Sequence, residues 1–166
     1  MTTTYPQRRS LRLQNYDYSQ SGAYFVTICT QGRIDRFGSI EGDVVQLTDA
    51  GALVAETWEA LPDRFPNLEL DAFIVMPNHM HGILLIDEHG TARIPAVIGA
   101  FKSISTHRYI QGVRDDGWPR FEGTLWQRNY YEHVLRSEER LNRARAYIAD
   151  NQLRWILDPE NVSKSG

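Results

Sequence analysis

The sequence predicts an α+β domain of the split β-α-β kind: an antiparallel sheet carrying helices, with one further helix added at the C-terminus. Three observations predict it. Apolar runs of strand length and segments of helical spacing follow one another in the order β, α, β, β, α, β, α. The run from His79 to Ile86 is largely apolar on both faces, as a central strand covered on each side must be. The last segment, Glu138 to Trp155, carries an apolar stripe on one side only, which suits a helix lying on a sheet.

Residues 1–22 have no clear period and read as a basic arm, with Arg8, Arg9 and Arg12 followed by small polar residues. Ala23 to Thr30 is β-branched and aromatic, a good first strand, with Gly32 opening the turn after it. Residues 33–47 read as a hairpin or irregular excursion around Gly38 and Gly42. Asp49 to Leu61 has apolar residues at 50, 53, 54, 58 and 61, with Thr48 as N-cap and Pro62 as the stop. Leu68 to Val75 is a second strand, and Met76-Pro77-Asn78 turns directly into the third, His79 to Ile86. Residues 87–95 read as a polar loop, Ala96 to Ile110 as a second helix, and Thr124 to Leu135 as a strand or extended ribbon. Ser137 stands where the N-cap of the last helix is expected. The domain organisation expected is an arm (1–22), one domain (23–157) and a tail (158–166).

Bulk properties narrow the class of protein. A chain of 166 residues, 42% hydrophobic and 11% aromatic, builds one domain with a real core. The single cysteine, Cys29, forms no intrachain disulfide, and no signal segment or membrane-length run is seen, so a reducing, cytoplasmic setting is expected. Net charge is −3, but it is segregated. Residues 1–40 carry five basic and two acidic groups, residues 41–71 one against eight, and residues 101–120 four against two. A basic face survives if the acidic stretch, best read as solvated, folds to the opposite side.

The chemistry-bearing motif is His79-Met80-His81. Residues two apart on a strand share a face about 7 Å apart, close enough for two imidazoles to grip one ion, although such a pair can also be simply packed or hydrogen-bonded. On the last helix Leu141, Ala144, Ile148 and Trp155 form the stripe that faces the sheet, and Asn151 falls inside it. A buried amide without partners costs about 1 to 3 kcal/mol, so Asn151 either caps backbone groups or lends its oxygen, for example to a metal. Arg143, Tyr147 and Asn151 fall on one side of the helix as a polar line. If that line packs over the histidines, two imidazole nitrogens and one amide oxygen suit Mg²⁺ or Mn²⁺ with positions left open for substrate oxygens. The phenol beside them has an ordinary pKa near 10 and attacks a phosphodiester only with assistance.

These residues resemble those of the HUH single-strand nucleases, specifically the single-tyrosine transposases of bacterial insertion sequences. Met76-Pro77-Asn78-His79-Met80-His81-Gly82 is similar to the family's HUH strand, and Tyr147 to Asn151 to its later tyrosine helix. Arg8 to Leu13, Tyr24 to Thr27, Ala100 to Ser103 and Leu125 to His133 resemble the branch called REP-associated tyrosine transposases. The order of motifs, histidines before tyrosine, is not that of relaxases. The resemblance implies a ferredoxin-like HUH fold, with His79, His81 and Asn151 holding a divalent metal and Tyr147 as nucleophile. It implies cleavage and strand transfer of single-stranded DNA beside a REP-like hairpin through a 5′-phosphotyrosine. It further implies DNA contacts from Arg8, Arg9, Arg12, Lys102, Arg128 and Arg143, and a cytoplasmic, nucleoid-associated location in a prokaryote. Insertion-sequence relatives exchange the tyrosine helix in a homodimer and REP-associated ones keep it in cis as monomers, and both arrangements stay open. Relatives commonly have proline after the asparagine, whereas here Gln152 follows and competes with Asn151 as ligand. The acidic net charge implies strongly salt-dependent DNA binding.

Other readings remain beside this one. Tyr130 and Tyr131 are rival nucleophiles, or stack on bases, or fill core. His107 and His133 read as surface or hydrogen-bonded imidazoles, and the four tryptophans as packing, with Trp126 a second candidate for DNA. Arg136, Arg140, Arg143 and Arg145, alternating with acids, fit an ordinary exposed helix start. Two further classes of function are a silent hairpin-binding module of the same fold and an unrelated His-x-His metallohydrolase.

Overall fold

The β-branched run near the N-terminus forms strand β1, Gly22–Cys29, in a computed structural model that describes residues 22–151 apart from 43, 88, 89 and 91. The predicted arm and tail, with Arg8, Arg9, Arg12, Gln152 and Trp155, lie outside the described residues. After a 3-10 turn at Gln31–Arg33, the glycine-containing excursion is a small hairpin of β2 (Gly38–Glu41) and β3 (Val44–Leu47). Helix α1, Asp49–Glu59, begins where predicted, the Thr48 side chain accepting from the backbone N–H of Gly51. It ends two residues early. Ala60 caps it, and Pro62 sits in the first turn of a short helix α2, Leu61–Arg64, where its missing N–H is no loss.

Strands β4, Leu68–Met76, and β5, His79–Ile86, are joined by the two-residue turn Pro77–Asn78, close to prediction. The second long helix is longer than its periodicity suggests: α3 runs Ile94–Asp116. Pro95 belongs to its first turn and not to the preceding loop, and the helix stops at Gly117, whose φ of 72° is the left-handed cap conformation glycine adopts at no steric cost. Of the predicted ribbon 124–135, Tyr131–Val134 pairs as β6 and Trp126 makes an isolated antiparallel bridge with Thr30, while the Leu125 and Trp126 side chains join the core. The last helix, α4, spans Glu138–Ala149, with Ser137 as its N-cap and Asp150 as its C-cap. Asn151 follows after the one-residue break at Asp150 and is itself helical.

The four long-sheet strands lie in the order β4-β5-β1-β6, all antiparallel. With the β2–β3 hairpin set aside this is second, third, first, fourth: the split β-α-β arrangement. Strand β5 is interior and buried along its whole length, as its two apolar faces demand. On one side α1 and α3 cover Val26, Ile28, Met80 and Leu84 with a core that includes Val54, Trp58, Phe101 and Trp126. On the other side α4 lays Leu141 and Ile148 over Ala23, Ile83 and Leu85. Phe25, Thr27, His79 and His81 share that second side, because β1 and β5 pair Thr27 with His81 and Cys29 with His79.

Gly82 faces the first side, and a Cβ there would stand 2.4 Å from Cζ2 of Trp58. The indole needs that missing methyl. Gly82→Ala is expected to destabilise the fold by about 1 to 3 kcal/mol through overpacking next to His81. Adding Trp58→Phe should return part of the loss. Urea midpoints of the single and double variants test this, and additive losses would contradict the packing account.

Candidate active site

The site lies on the α4 side of the sheet, where the His-x-His pair of β5 meets the tyrosine of α4. The imidazole rings of His79 and His81 are 4.7 Å apart between centroids, and the Tyr147 ring stands edge-on to His81 at 5.3 Å. Phe25 stacks on His81 at 5.3 Å and meets Tyr147 edge-on at 5.9 Å.

Each histidine is held through Nδ1. His79 Nδ1 lies 2.8 Å from Oδ1 of Asn78, whose Nδ2 donates to the Arg33 carbonyl at 3.1 Å. That carbonyl only accepts, so it fixes the orientation of the Asn78 amide; Oδ1 in turn only accepts, so Nδ1 of His79 carries the proton and Nε2 the lone pair. His81 Nδ1 lies 2.8 Å from the Thr27 hydroxyl. Support through the far nitrogen is how ligating imidazoles are oriented. Burial, and secondly the Arg33 cation, push His79 down to about 4 from 6.5. It is neutral at pH 7, the form that binds metals.

The Nε2 atoms of both histidines and both amide atoms of Asn151 are buried with no hydrogen-bond partner among the described residues. Asn151 is fully buried, so its amide is the costly one. Among the described residues no three of His, Cys, Asp or Glu are grouped to hold an ion. Two imidazoles joined by the Asn151 amide oxygen would be a donor set suited to Mg²⁺ or Mn²⁺ with open positions.

A cleft of about 770 Å³ opens beside these groups. Thr27, His81 and Tyr147 line it together with Arg33, Arg140 and Arg143, and among the described residues no carboxylate does. Arg143 is exposed and pairs with Glu139 one turn back. Arg33 takes φ of 54° at the end of the 3-10 turn, a left-handed conformation that costs a non-glycine residue about 1 to 2 kcal/mol. The acidic run 41–71 supplies α1 and the small hairpin, on or beyond the opposite side of the sheet, which leaves the cleft basic in a chain of charge −3.

The other candidates separate. Lys102 and Arg128 line a different groove, of about 520 Å³, and Lys102 is engaged there: its Nζ donates to the carbonyls of Gln127 and Arg128 at 2.8 and 2.9 Å. Its cation also lies 5.5 Å from the Tyr130 ring. Tyr130, Tyr131 and His133 border the main cleft, and burial raises the Tyr130 phenol, with Glu132 adding to it. Trp126 is core and not a surface for DNA, its Nε1 donating to Ser105 Oγ at 2.9 Å.

One correction concerns the solvated acidic run and the exposed arginines. Asp71 is buried, and Arg145 holds it bidentately, Nε to Oδ1 at 2.8 Å and Nη2 to Oδ2 at 2.6 Å. A register shift between Leu70 and Phe73 in β4 marks the irregularity where Asp71 sits. Neither this pair nor the roles of Asn78, Thr27 and Arg33 are legible in the sequence, where Asp71 alternates with apolar residues just as Glu69 does.

The chain is of the transposase class of DNA-processing enzymes, as its family match establishes. Residues 61–151, more than half of the chain, match the profile of the family "Transposase IS200 like". The chain belongs to that family. It is 37% identical over 177 aligned positions, 95% of this chain and 97% of the other, to an uncharacterized Haemophilus influenzae protein. It is 24% identical over 147 positions, 86% of this chain and 77% of the other, to a Haemophilus influenzae protein provisionally named REP-associated tyrosine transposase. Its fold is similar to a REP-associated tyrosine transposase solved bound to a REP hairpin: TM-score 0.61, 20% identity, 80% of this chain and 67% of that one. A provisionally named transposase of Deinococcus radiodurans R1 matches with TM-score 0.55 and 22% identity over 83% of this chain and 94% of that one.

Two stability predictions follow from the site. Because folded His79 titrates near 4 and the unfolded residue near 6.5, the unfolded chain binds more protons between these values. The stability is therefore complete above pH 6.5 and lost as pH falls toward 4. Urea unfolding with a chelator present should show a drop of about 2 kcal/mol between pH 7.5 and 5 that His79→Asn flattens; an unchanged slope in that variant would overturn the assignment. Arg145→Met strands the Asp71 carboxylate and should cost about 3 to 5 kcal/mol, with backbone amide exchange rising in α4 before it rises in β5.

Proposed function

We propose that this transposase is a metal-dependent single-stranded DNA endonuclease and strand transferase, cutting beside REP-like hairpins through a 5′-phosphotyrosine on Tyr147. The observation that carries the reading is the meeting of Tyr147 with His81, and through it His79, at a cleft lined, among the described residues, by three arginines and no carboxylate. A solved structure of similar fold is bound to a REP hairpin, which supports the choice of substrate.

His79 and His81 through Nε2, and Asn151 through Oδ1, would hold a divalent ion, Mg²⁺ or Mn²⁺; bound there it supplies electrophilic polarisation of the phosphodiester. The protein's own residues do the rest. Arg33, Arg140 and Arg143 draw the phosphate backbone into the cleft. The Tyr147 oxygen bonds to phosphorus as the bond to the 3′ oxygen breaks; the phenolic proton passes to solvent, and the departing 3′ oxygen takes one up. One phosphate ester replaces another, so an incoming hydroxyl reverses the exchange without a nucleotide cofactor. Phe25, packed against both His81 and Tyr147, restricts the phenol to the approach side of the cleft.

The test incubates the protein with single-stranded flanking DNA from beside its own gene, with Mn²⁺, and looks for a denaturant-resistant adduct. Tyr147→Phe should abolish the adduct while hairpin binding persists, and a chelator should abolish it reversibly. Asn151→Ala should weaken Mn²⁺ activation at least tenfold, and Gln152→Ala should leave it near wild type. An adduct in Tyr147→Phe, or turnover of soluble phosphoesters in place of DNA, would overturn the reading.

A further inference from the structure

Strand β6 brings a second feature to the cleft that the cleavage chemistry does not use. Its pairing with β1 sets Tyr131 opposite Thr27, and β1 in turn sets Thr27 opposite His81. The three residues form one cross-strand row, which puts Tyr131 two strand spacings, about 10 Å, from the histidine. Tyr131 is 57% exposed, the highest among the exposed large apolar side chains of the described residues. The His133 ring stands edge-on to it at 4.7 Å and 82°, and both border the cleft. An exposed aromatic ring, braced by a second ring, is the form of a base-stacking platform. Its neighbour Tyr130 is occupied differently, against the Lys102 cation.

We propose that Tyr131, braced by His133, stacks on the base of a nucleotide within one or two positions of the cleaved phosphate, holding the single strand across the row from Tyr131 to His81. This rests on the reading of the cleft as a single-stranded DNA site. The class of ligand follows from the surroundings: an aromatic face takes any base, and the arginines of the same cleft take its phosphates. A duplex would bury its bases away from such a ring, so the row selects unpaired strand. Tyr131 holds and orients; it contributes no atom to the reaction.

The experiment walks a single abasic position along the flanking strand of a hairpin oligonucleotide and reads hairpin affinity and adduct formation for the wild type, Tyr131→Ala and Tyr131→Phe. Tyr131→Ala should raise KM about tenfold, within the range measured for one stacked base, with the adduct rate at saturation nearly unchanged. One abasic position near the cut should cost the wild type the same factor and cost Tyr131→Ala nothing more. Tyr131→Phe, which keeps the ring, should behave as wild type. The platform is overturned if Tyr131→Ala binds as well as wild type, if its penalty and that of every abasic position multiply, or if Tyr131→Phe loses the adduct. If no protein forms an adduct, the reading of cleavage fails while the affinities still decide the stacking. Tyr131 lies exposed on an edge strand, and an unchanged urea midpoint for Tyr131→Ala checks that the fold is intact.

Discussion

The buried pair between Arg145 of α4 and Asp71 of β4 is the interaction on which the site depends. Only Leu141 and Ile148 of α4 are buried, so the apolar grip of this helix on the sheet is thin. Apolar contact is also nearly indifferent to how far a helix is rotated about its axis, whereas a two-bonded guanidinium–carboxylate pair is not. Arg145 and Tyr147 are two residues apart, about 200° around the helix, so anchoring one flank to β4 swings the other over β5 and β1. The Asp71 carboxylate is itself fixed, Oδ1 also accepting the backbone N–H of Ala72 at 2.8 Å. The Arg145 head is further steadied by Asn142 Oδ1 at 2.9 Å. Rotation of the tyrosine helix is thus set by a charge contact made far from the phenol.

The opposite half of the site is fixed from beneath. The turn Pro77–Asn78 is tied to the segment after β1: the backbone of Arg36 and Phe37 donates to the Pro77 carbonyl, and that of Thr30 to the Asn78 carbonyl. Asn78 then fixes His79, and Thr27 of β1 fixes His81. Both imidazoles are oriented by groups whose positions the sheet register dictates, which is the preorganisation that a binding or catalytic constellation requires. The left-handed Arg33 belongs to the same arrangement, because its carbonyl orients Asn78 while its side chain borders the cleft. Its backbone strain sits at the one place where loop, histidine strand and cleft meet.

What could be read from the sequence was whatever a period or a spacing encodes. The two faces of β5 announced a central strand, and the alternation of His79 and His81 placed both rings on one side of it. The helical stripe of α4 put Tyr147 beside the sheet. Terminal details were less legible, since Pro62 and Pro95 read as breakers yet occupy first-turn positions where a proline is tolerated. The ribbon before Leu135 was over-read as strand because aromatic residues serve core and sheet alike, and Trp126 went to the core. Contacts between distant segments were not legible at all. Asp71 and Arg145 are 74 residues apart and each looks solvated in its own neighbourhood; only the packing of α4 on β4 makes them partners.

The charge distribution resolves the contradiction between a net charge of −3 and a site for a polyanion. A sheet covered on both sides separates what it carries above and below. The acid-rich segment 41–71 supplies α1 and the small hairpin, while β6, α4 and the turn after β1 supply the cleft, where Arg33, Arg140 and Arg143 meet no lining carboxylate among the described residues. At physiological ionic strength charges are screened over about 8 Å, so a phosphate in the cleft responds mainly to those nearby cations and only weakly to carboxylates beyond the sheet. Net charge is therefore a poor guide to what this protein holds. The same screening makes the attraction short-ranged, and so a strand entering the cleft needs contacts other than charge to be held in register. That requirement is why a row of uncharged groups, Thr27 and Tyr131 beside His81, matters to a site whose proposed chemistry is at the histidines and the phenol.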